Sequence, residues 1–123
     1  MSNTYRIIAD LHTHTLASTH AYSSVTEMIR AAAEKGLYAI ALTDHARTMP
    51  GSPREWYFSS LHELPLHYRG VMNLAGIEAN VLDFEGHLDL EPRDIPRMDW
   101  VVASIHHLPL EGLQNPDVEK CTQ

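Results

Sequence analysis

Apolar runs of strand length alternate with an amphipathic stretch in the first third of the chain. Residues 6–10 and 38–42 are predicted strands, and the second is a continuous apolar run, as in a strand covered on both faces. Between them, Ser24 and Glu27 form a capping-box pattern that predicts the start of a helix, and Gly36 predicts its end. The apolar positions of this helix recur at intervals of three and four residues, at Val25, Met28, Ile29 and Ala32.

The remaining pattern continues the alternation. We predict a helix over 56–68 that is bent at Pro65, a strand over 71–77 and a strand over 100–105. Residues 80–90 are predicted to form a small hairpin that turns at Glu85 and Gly86. This order indicates an α/β fold, in a single domain over 1–123, with parallel strands joined by crossover helices.

Composition narrows the functional classes. The 123 residues are 44% hydrophobic and carry a formal net charge of −7, which suits one soluble domain. The nine basic residues are scattered, so duplex nucleic acid is not expected as a partner. No secretory or membrane-spanning segment is evident, and the lone Cys121 offers no internal disulfide, so a cytoplasmic location is expected.

The nine histidines are the unusual feature of the composition, and several follow predicted strands. The carboxyl ends of parallel strands meet at one rim, where binding residues gather. The residues of metal-ligand type at these strand ends are Asp10, His12, His14, Asp44, His45, Glu78, His106 and His107. We therefore predict that they form a metal site.

Local spacing separates stronger from weaker candidates. His12 and His14 alternate along an extended segment and lie roughly 6.6 Å apart along the backbone, so both can reach one cation. The candidacy of His20 depends on these neighbours. His106 is preferred over His107 because it shares a face with Ser104. We expect His62, His67 and His87 to be surface residues, and the aromatic group 56–58 to pack between helix and sheet rather than stack on bases.

Imidazole and carboxylate ligands without thiolate favour Zn²⁺, Mn²⁺ or Fe²⁺ over Ca²⁺. More candidate ligands converge than one four-coordinate ion needs, which predicts a multi-metal site of the kind that hydrolyses phosphate esters. Because ligand imidazoles must be neutral, metal affinity is expected to fall below about pH 6.

The motifs that carry these residues resemble those of the PHP (polymerase and histidinol phosphatase) family. They are Asp10-Leu11-His12-Thr13-His14, Thr43-Asp44-His45 and Gly76-Ile77-Glu78-Ala79-Asn80. The stretch 17–23, which contains His20, resembles the small stand-alone bacterial PHP phosphatases. The resemblance implies the N-terminal part of a distorted (βα)7 barrel with a trinuclear metal centre, usually of zinc, manganese or iron.

By motif, the resemblance also implies a role for each residue. His12, His14 and Glu78 would bind one ion, His20 and His45 a second, and Glu78 would bridge to a third ion held by His106. Asp10 and Asp44 would orient the rings and shape proton transfer. The implied activity is hydrolysis of a small phosphomonoester by metal-bound hydroxide.

The family's later motifs, Ser-His-Pro-like and Asp-x-His, supply three further ligands and do not occur after Leu108. We therefore expect the N-terminal part of a PHP protein, from a truncated gene or a fragment, with little activity alone. A C-terminal half or a second copy would complete the barrel. Two alternatives stay open, namely a nuclease or proofreading module linked to a DNA polymerase and an inactive metal-binding fragment.

Overall fold

The computed structural model describes residues 4–106 of the chain. This part contains two α-helices and five strands, with short 3₁₀ turns at Leu16–Ser18 and Ile95–Arg97. The elements are β1 (Ala9–Thr13), α1 (Val25–Glu34), β2 (Ala39–Leu42), α2 (Glu55–Leu61), β3 (His67–Tyr68), β4 (Val71–Asn80) and β5 (Trp100–Ser104).

The strand β4 organises the sheet. Its first half pairs in parallel with β2, its second half pairs in parallel with β5, and β1 adds in parallel to β2. These parallel strands, with helices in the connections between β1, β2 and β4, confirm the predicted α/β class. The two-residue β3 pairs antiparallel with the start of β4 and was not expected from the sequence.

The helix α1 forms where its local signals predicted. Ser24 Oγ accepts a hydrogen bond from the Glu27 amide, and the Glu27 carboxylate accepts one from the Ser24 amide at 2.7 Å. Gly36 follows the helix in the left-handed conformation. The apolar stripe faces the sheet and joins a core made of Ile29, Ala32, Ile40, Leu42, Ala46, Phe58, Leu61, Val71, Ala75 and Ile77.

The predicted helix over 56–68 is wrong in its second half. The helix α2 ends at Leu61 because Pro65 disfavours helical backbone before it and supplies no amide proton. Backbone carbonyls in the following segment are used by β4 instead: Asn73 donates its amide proton to Leu66 and its side-chain amide to Pro65. These contacts favour the short strand β3.

Two strand boundaries also differ from the prediction. The first strand covers Ala9–Thr13 rather than 6–10, because the Thr13 hydroxyl and amide bond to Ala41 and Thr43 and fix the pairing. A register shift between Asp10 and Thr13 interrupts the regular alternation of side chains. The third predicted strand extends to Asn80 through its pairing with β5. His12 and Glu78 thus lie inside strands rather than just beyond them.

The predicted hairpin over 80–90 is confirmed by an antiparallel bridge between Val81 and Leu88, with Gly86 at the turn. Within residues 4–106, no helix has the length and apolar character needed to cross a membrane. Cys121 and His107 lie outside the described residues.

Candidate metal centre

The Glu78 carboxylate is the centre of the candidate site. It is only 2% exposed, and its Oε2 atom lies 3.2 Å from His12 Nε2, 3.1 Å from His14 Nε2 and 3.0 Å from His45 Nδ1. Its other oxygen, Oε1, lies 3.6 Å from His106 Nε2. Four imidazoles from three separate parts of the chain therefore surround one buried carboxylate.

The sixth candidate, His20, reaches the site through its neighbour His45. The Nε2 atoms of these two rings are 2.7 Å apart, and those of His12 and His14 are 3.2 Å apart. The six side chains form three overlapping groups, each with ligand atoms within 4.8 Å of one another. The groups are His12–His14–Glu78, His14–His20–His45 and His45–Glu78–His106.

Backbone pairing holds His45 beside Glu78. The two residues form an isolated parallel bridge just past the end of β2, in which Ala46 donates its amide proton to the Glu78 carbonyl at 2.8 Å. The Glu78 amide in turn donates to the Asp44 carbonyl at 3.0 Å. The sheet itself therefore sets the spacing between this imidazole and the carboxylate.

The Asp44 carboxylate is fully buried next to the candidate site. Its Oδ1 accepts hydrogen bonds from the Thr15 amide at 2.7 Å and the Ser18 hydroxyl at 2.6 Å. Its Oδ2 accepts from the hydroxyls of Thr15 and Tyr57. Burial and this contact with Asp44 raise the pKa of Tyr57, so its hydroxyl stays protonated and donates.

Ser18 transmits the position of Asp44 to two histidines. Because its hydroxyl proton points to Asp44, the Ser18 oxygen acts as an acceptor for the His45 amide at 3.1 Å and for His14 Nδ1 at 3.3 Å. His14 therefore carries its proton on Nδ1 in the neutral ring. Its Nε2 lone pair is left facing His12 and Glu78.

His20 follows a strained residue. Thr19 has a φ of 60°, a left-handed conformation that is uncommon for a β-branched residue. Its side chain lies against Gly51 in the loop after β2. This turn brings the His20 ring within 5.0 Å of His14 and 4.8 Å of His45, measured between ring centroids.

The protonation states suit cation binding. Burial lowers the pKa values of His14 and His45 despite the opposing charge of Glu78, so both rings are neutral near pH 7. Burial alone would raise the pKa of Glu78, but its contacts with His12 and Ser104 and the positive charge that His45 carries when protonated outweigh burial and lower this pKa. The site thus presents two neutral imidazoles, His14 and His45, beside an ionised Glu78 carboxylate.

The donor set fits divalent transition metals. His45 Nδ1 and Glu78 Oε2 are buried atoms without a hydrogen-bond partner, although they lie 3.0 Å apart. Leaving such groups unpaired is costly, and a shared cation would satisfy both. Nitrogen and carboxylate donors without sulfur are typical of zinc, manganese and iron sites.

The structure brings together all six residues predicted as metal ligands. Asp10 is exposed; within the described residues its carboxylate accepts one bond, from the His12 backbone amide at 3.4 Å, so its orienting role stays a prediction. The three histidines predicted to be on the surface are exposed: His62, His67 and His87.

Sequence reasoning missed three residues that hold the site, namely Thr15, Ser18 and Tyr57. The hydroxyl-rich loop after His14 was a signal for the first two, since hydroxyls near a buried carboxylate are natural donors to it. Tyr57 and Phe58 pack against the core as predicted for the aromatic group 56–58, whereas Trp56 is 85% exposed. The Tyr57 hydroxyl, however, reaches Asp44.

The chain is similar to several bacterial proteins that are named probable phosphatases. The chain is 48% identical over 101 residues to a "Probable phosphatase" of Photobacterium profundum, covering 82% of this chain and 41% of the relative. It is 43% identical over 118 residues to one of Thermoanaerobacter sp. (strain X514), covering 96% of this chain and 47% of the relative. A third, from Caldanaerobacter subterraneus, is 44% identical over 118 residues, covering 96% of this chain and 46% of the relative.

The chain thus spans about half the length of the curated relatives that it matches. Residues 10–122 also match the PHP domain, a stretch that contains every candidate ligand described above. On this match, the chain belongs to the PHP domain family.

Proposed function

We propose that this chain supplies a large part of a metal-dependent phosphatase site, and that the complete protein hydrolyses small phosphomonoesters. The observation that carries the proposal is the buried Glu78 carboxylate, surrounded by imidazole nitrogens of four histidines within 3.6 Å. The phosphatase names of the relatives support the choice of reaction.

The three overlapping groups would hold up to three divalent ions, with Zn²⁺ the first candidate and Mn²⁺ and Fe²⁺ the alternatives. When bound, such ions acidify water to a nucleophile near neutral pH and hold phosphoryl oxygens. Of the six ligand side chains, Glu78, His14 and His45 each belong to two groups.

The chain's own residues prepare these ligands. The lowered pKa values of His14 and His45 keep both rings neutral, and the lowered pKa of Glu78 keeps its carboxylate ionised. Ser18 and Asp44 fix the His14 ring with its Nε2 lone pair toward Glu78. Because these ligands are already oriented and deprotonated, little free energy has to be spent on orienting or deprotonating them when a cation binds.

Half of the relatives' length lies outside the match, so we propose that the site is completed by a C-terminal half or by a second copy. The isolated chain is then expected to bind metal but to turn over phosphomonoesters slowly. Cytoplasmic location and the absence of duplex nucleic acid as a partner stay predictions.

The test compares metal content and phosphatase activity of the complete protein, purified without chelator, with two histidine variants. His12→Ala should lose at least one bound transition ion per chain and most activity, whereas His67→Ala, at an exposed position in β3, should retain both. Less than one transition metal in the unsubstituted protein would overturn the metal centre. Metal loading with cleavage of single-stranded DNA but not of phosphomonoesters would favour the polymerase-linked alternative.

A further inference from the structure

The hairpin over 80–90 contains a buried acidic residue that is not among the candidate ligands. Asp89 is 2% exposed, and its Oδ1 accepts a hydrogen bond from the Asn80 amide at 2.7 Å. Its Oδ2 accepts from the Thr48 amide at 3.1 Å, the Thr48 hydroxyl at 2.7 Å and the Asn80 side-chain amide at 3.2 Å. The carboxylate is therefore fully used inside the protein.

These contacts fix the orientation of the Asn80 side chain. The Asn80 atom that faces Asp89 also lies 2.5 Å from the Thr48 hydroxyl oxygen, whose own proton points to Asp89. Two acceptors thus converge on this atom, so it must be the donating Nδ2 rather than the accepting Oδ1. The carbonyl oxygen of Asn80 must then point the other way, toward His106.

The orientation of Asn80 in turn determines the tautomer of His106. His106 Nδ1 lies 2.5 Å from Asn80 Oδ1, and a carbonyl oxygen can only accept, so Nδ1 must carry the proton. In the neutral ring, Nε2 is then the bare nitrogen, and it lies 3.6 Å from Glu78 Oε1. This is the arrangement that a metal ligand requires.

We propose that Asp89 and Asn80 are positioning residues that hold His106 in the Nδ1-protonated form with its Nε2 directed at Glu78. The hairpin thereby becomes part of the site rather than an appendage of the sheet. The consequence for metal binding rests on the proposed function, whereas the tautomer itself does not.

The first experiment measures the tautomer of His106 in the metal-free chain of 123 residues. Side-chain ¹⁵N NMR at a pH where His106 is neutral distinguishes a protonated from a bare ring nitrogen. The expected result is one dominant form with the proton on Nδ1. A dominant Nε2-protonated form in the unsubstituted chain would overturn the proposal, whatever any variant shows.

The second experiment compares the same change, aspartate to asparagine, at two positions of the hairpin. Asp89→Asn replaces an acceptor with an amide that also donates, although Thr48 and Asn80 already donate to this position. The Asn80 side chain is then free to turn over, so the Nε2-protonated form of His106 should become substantially populated. Asp83→Asn, whose carboxylate bonds only to Glu85 and His87 among the described residues, should leave the tautomer unchanged. If Asp89→Asn folds and leaves His106 unchanged, the proposed relay is wrong.

A zinc titration followed through the His106 ring signals then tests the consequence. Zinc affinity at the His45–Glu78–His106 group is expected to fall about 10- to 100-fold in Asp89→Asn and to be unaffected in Asp83→Asn. An equal fall in both variants would contradict the positioning role. If the unsubstituted chain shows the expected tautomer but binds no zinc, the proposed metal centre fails while the positioning of His106 stands.

Discussion

The Asp44 carboxylate is fully buried and, within residues 4–106, makes no hydrogen bond to any of the six candidate ligands. Its donors are Thr15, Ser18 and Tyr57, and Ser18 passes the constraint to His14 and His45. Removing one of these donors weakens the hydrogen bonding of the Asp44 carboxylate, but the remaining donors still compensate its charge. Replacing Tyr57 with Phe removes one donor with little change in volume and leaves the contacts of Ser18 with His14 and His45 in place.

Tyr57→Phe is therefore expected to lower the free energy of unfolding by about 1–3 kcal/mol, because a hydrogen bond to a charged group is lost. Trp56→Phe, at a neighbouring side chain that is 85% exposed, should change it by less than about 0.5 kcal/mol. Urea denaturation of both variants and of the unsubstituted chain measures the difference. Equal effects would mean that the Tyr57–Asp44 contact contributes nothing to stability.

At this scale the sequence predicts the residues that carry the chemistry but not those that hold them in place. His12 and His14 are recognisable because the alternation of an extended segment is local. The partner of Asp44 in α2, Tyr57, is 13 residues away, and aromatic residues in a helix usually pack in a core. Only the three-dimensional arrangement shows that its hydroxyl is used.

The turn that contains Thr19 and the loop that contains Gly51 contact each other next to His20. Gly51 has a φ of +74°, and a methyl group at this position would lie 2.9 Å from the Thr19 side chain. Gly70 has a similar φ of +78° but open space around it. The two glycines thus share the backbone penalty of a larger residue and differ in the steric contact.

Gly51→Ala should lower the free energy of unfolding by more than Gly70→Ala, which is expected to cost about 1 kcal/mol. The difference reports the steric contact with Thr19. Because Thr19 precedes His20, zinc affinity at the His14–His20–His45 group should also weaken in Gly51→Ala only. Chemical denaturation and zinc titration of both variants test this, and identical behaviour would show that the loop does not support His20.

Elements defined by local signals were predicted best. The helix α1 has its cap, its apolar stripe and its terminal glycine within thirteen residues, from Ser24 to Gly36, so its limits follow from the sequence. The strand β3, in contrast, depends on hydrogen bonds from Asn73, which belongs to the next strand, β4. Hydrogen bonds from another strand leave no periodic pattern of apolar residues in the segment around β3, so the sequence contains no signal for it.

Three groups whose pKa values are lowered, His14, His45 and Glu78, lie together in the candidate metal centre. Burial lowers the pKa values of His14 and His45 in the folded chain, so the unfolded chain binds protons more readily at these sites. Stability from these groups is present above the unfolded pKa of about 6.5 and is lost as the pH falls below it. The lowered pKa of Glu78 acts in the same direction at still lower pH.

The metal-free chain is accordingly expected to be more stable at pH 7.5 than at pH 5. The change of the free energy of unfolding with pH should become smaller in a double variant, His14→Gln with His45→Gln. It should stay the same in His67→Gln. Urea midpoints at several pH values, measured with chelator present, provide the comparison. A pH dependence that survives the double substitution would assign it to other groups.

Zinc should stabilise the folded chain further, by about 2.7 kcal/mol when its free concentration is one hundred times the dissociation constant. The gain should decrease below about pH 6, because protons compete for the ligand imidazoles. Thermal unfolding with and without zinc, at pH 5 and pH 7.5, measures this. Stabilisation that is equal at both pH values would argue against histidine ligation.

The parallel sheet and its shared rim were predictable because the order of strands and helices along the chain restricts the topology. The overlap of the three ligand groups was not, since it depends on where β4 places Glu78 between β2 and β5.

Through this overlap, six side chains fill nine ligand places. Because ligands are shared, the six positions should differ in their tolerance to substitution. A change at His12, His20 or His106 affects one group. A change at His14, His45 or Glu78 affects two. Random variants of this chain should consequently separate into two classes of severity, and the boundary between them would map the sharing pattern without any image of the metals.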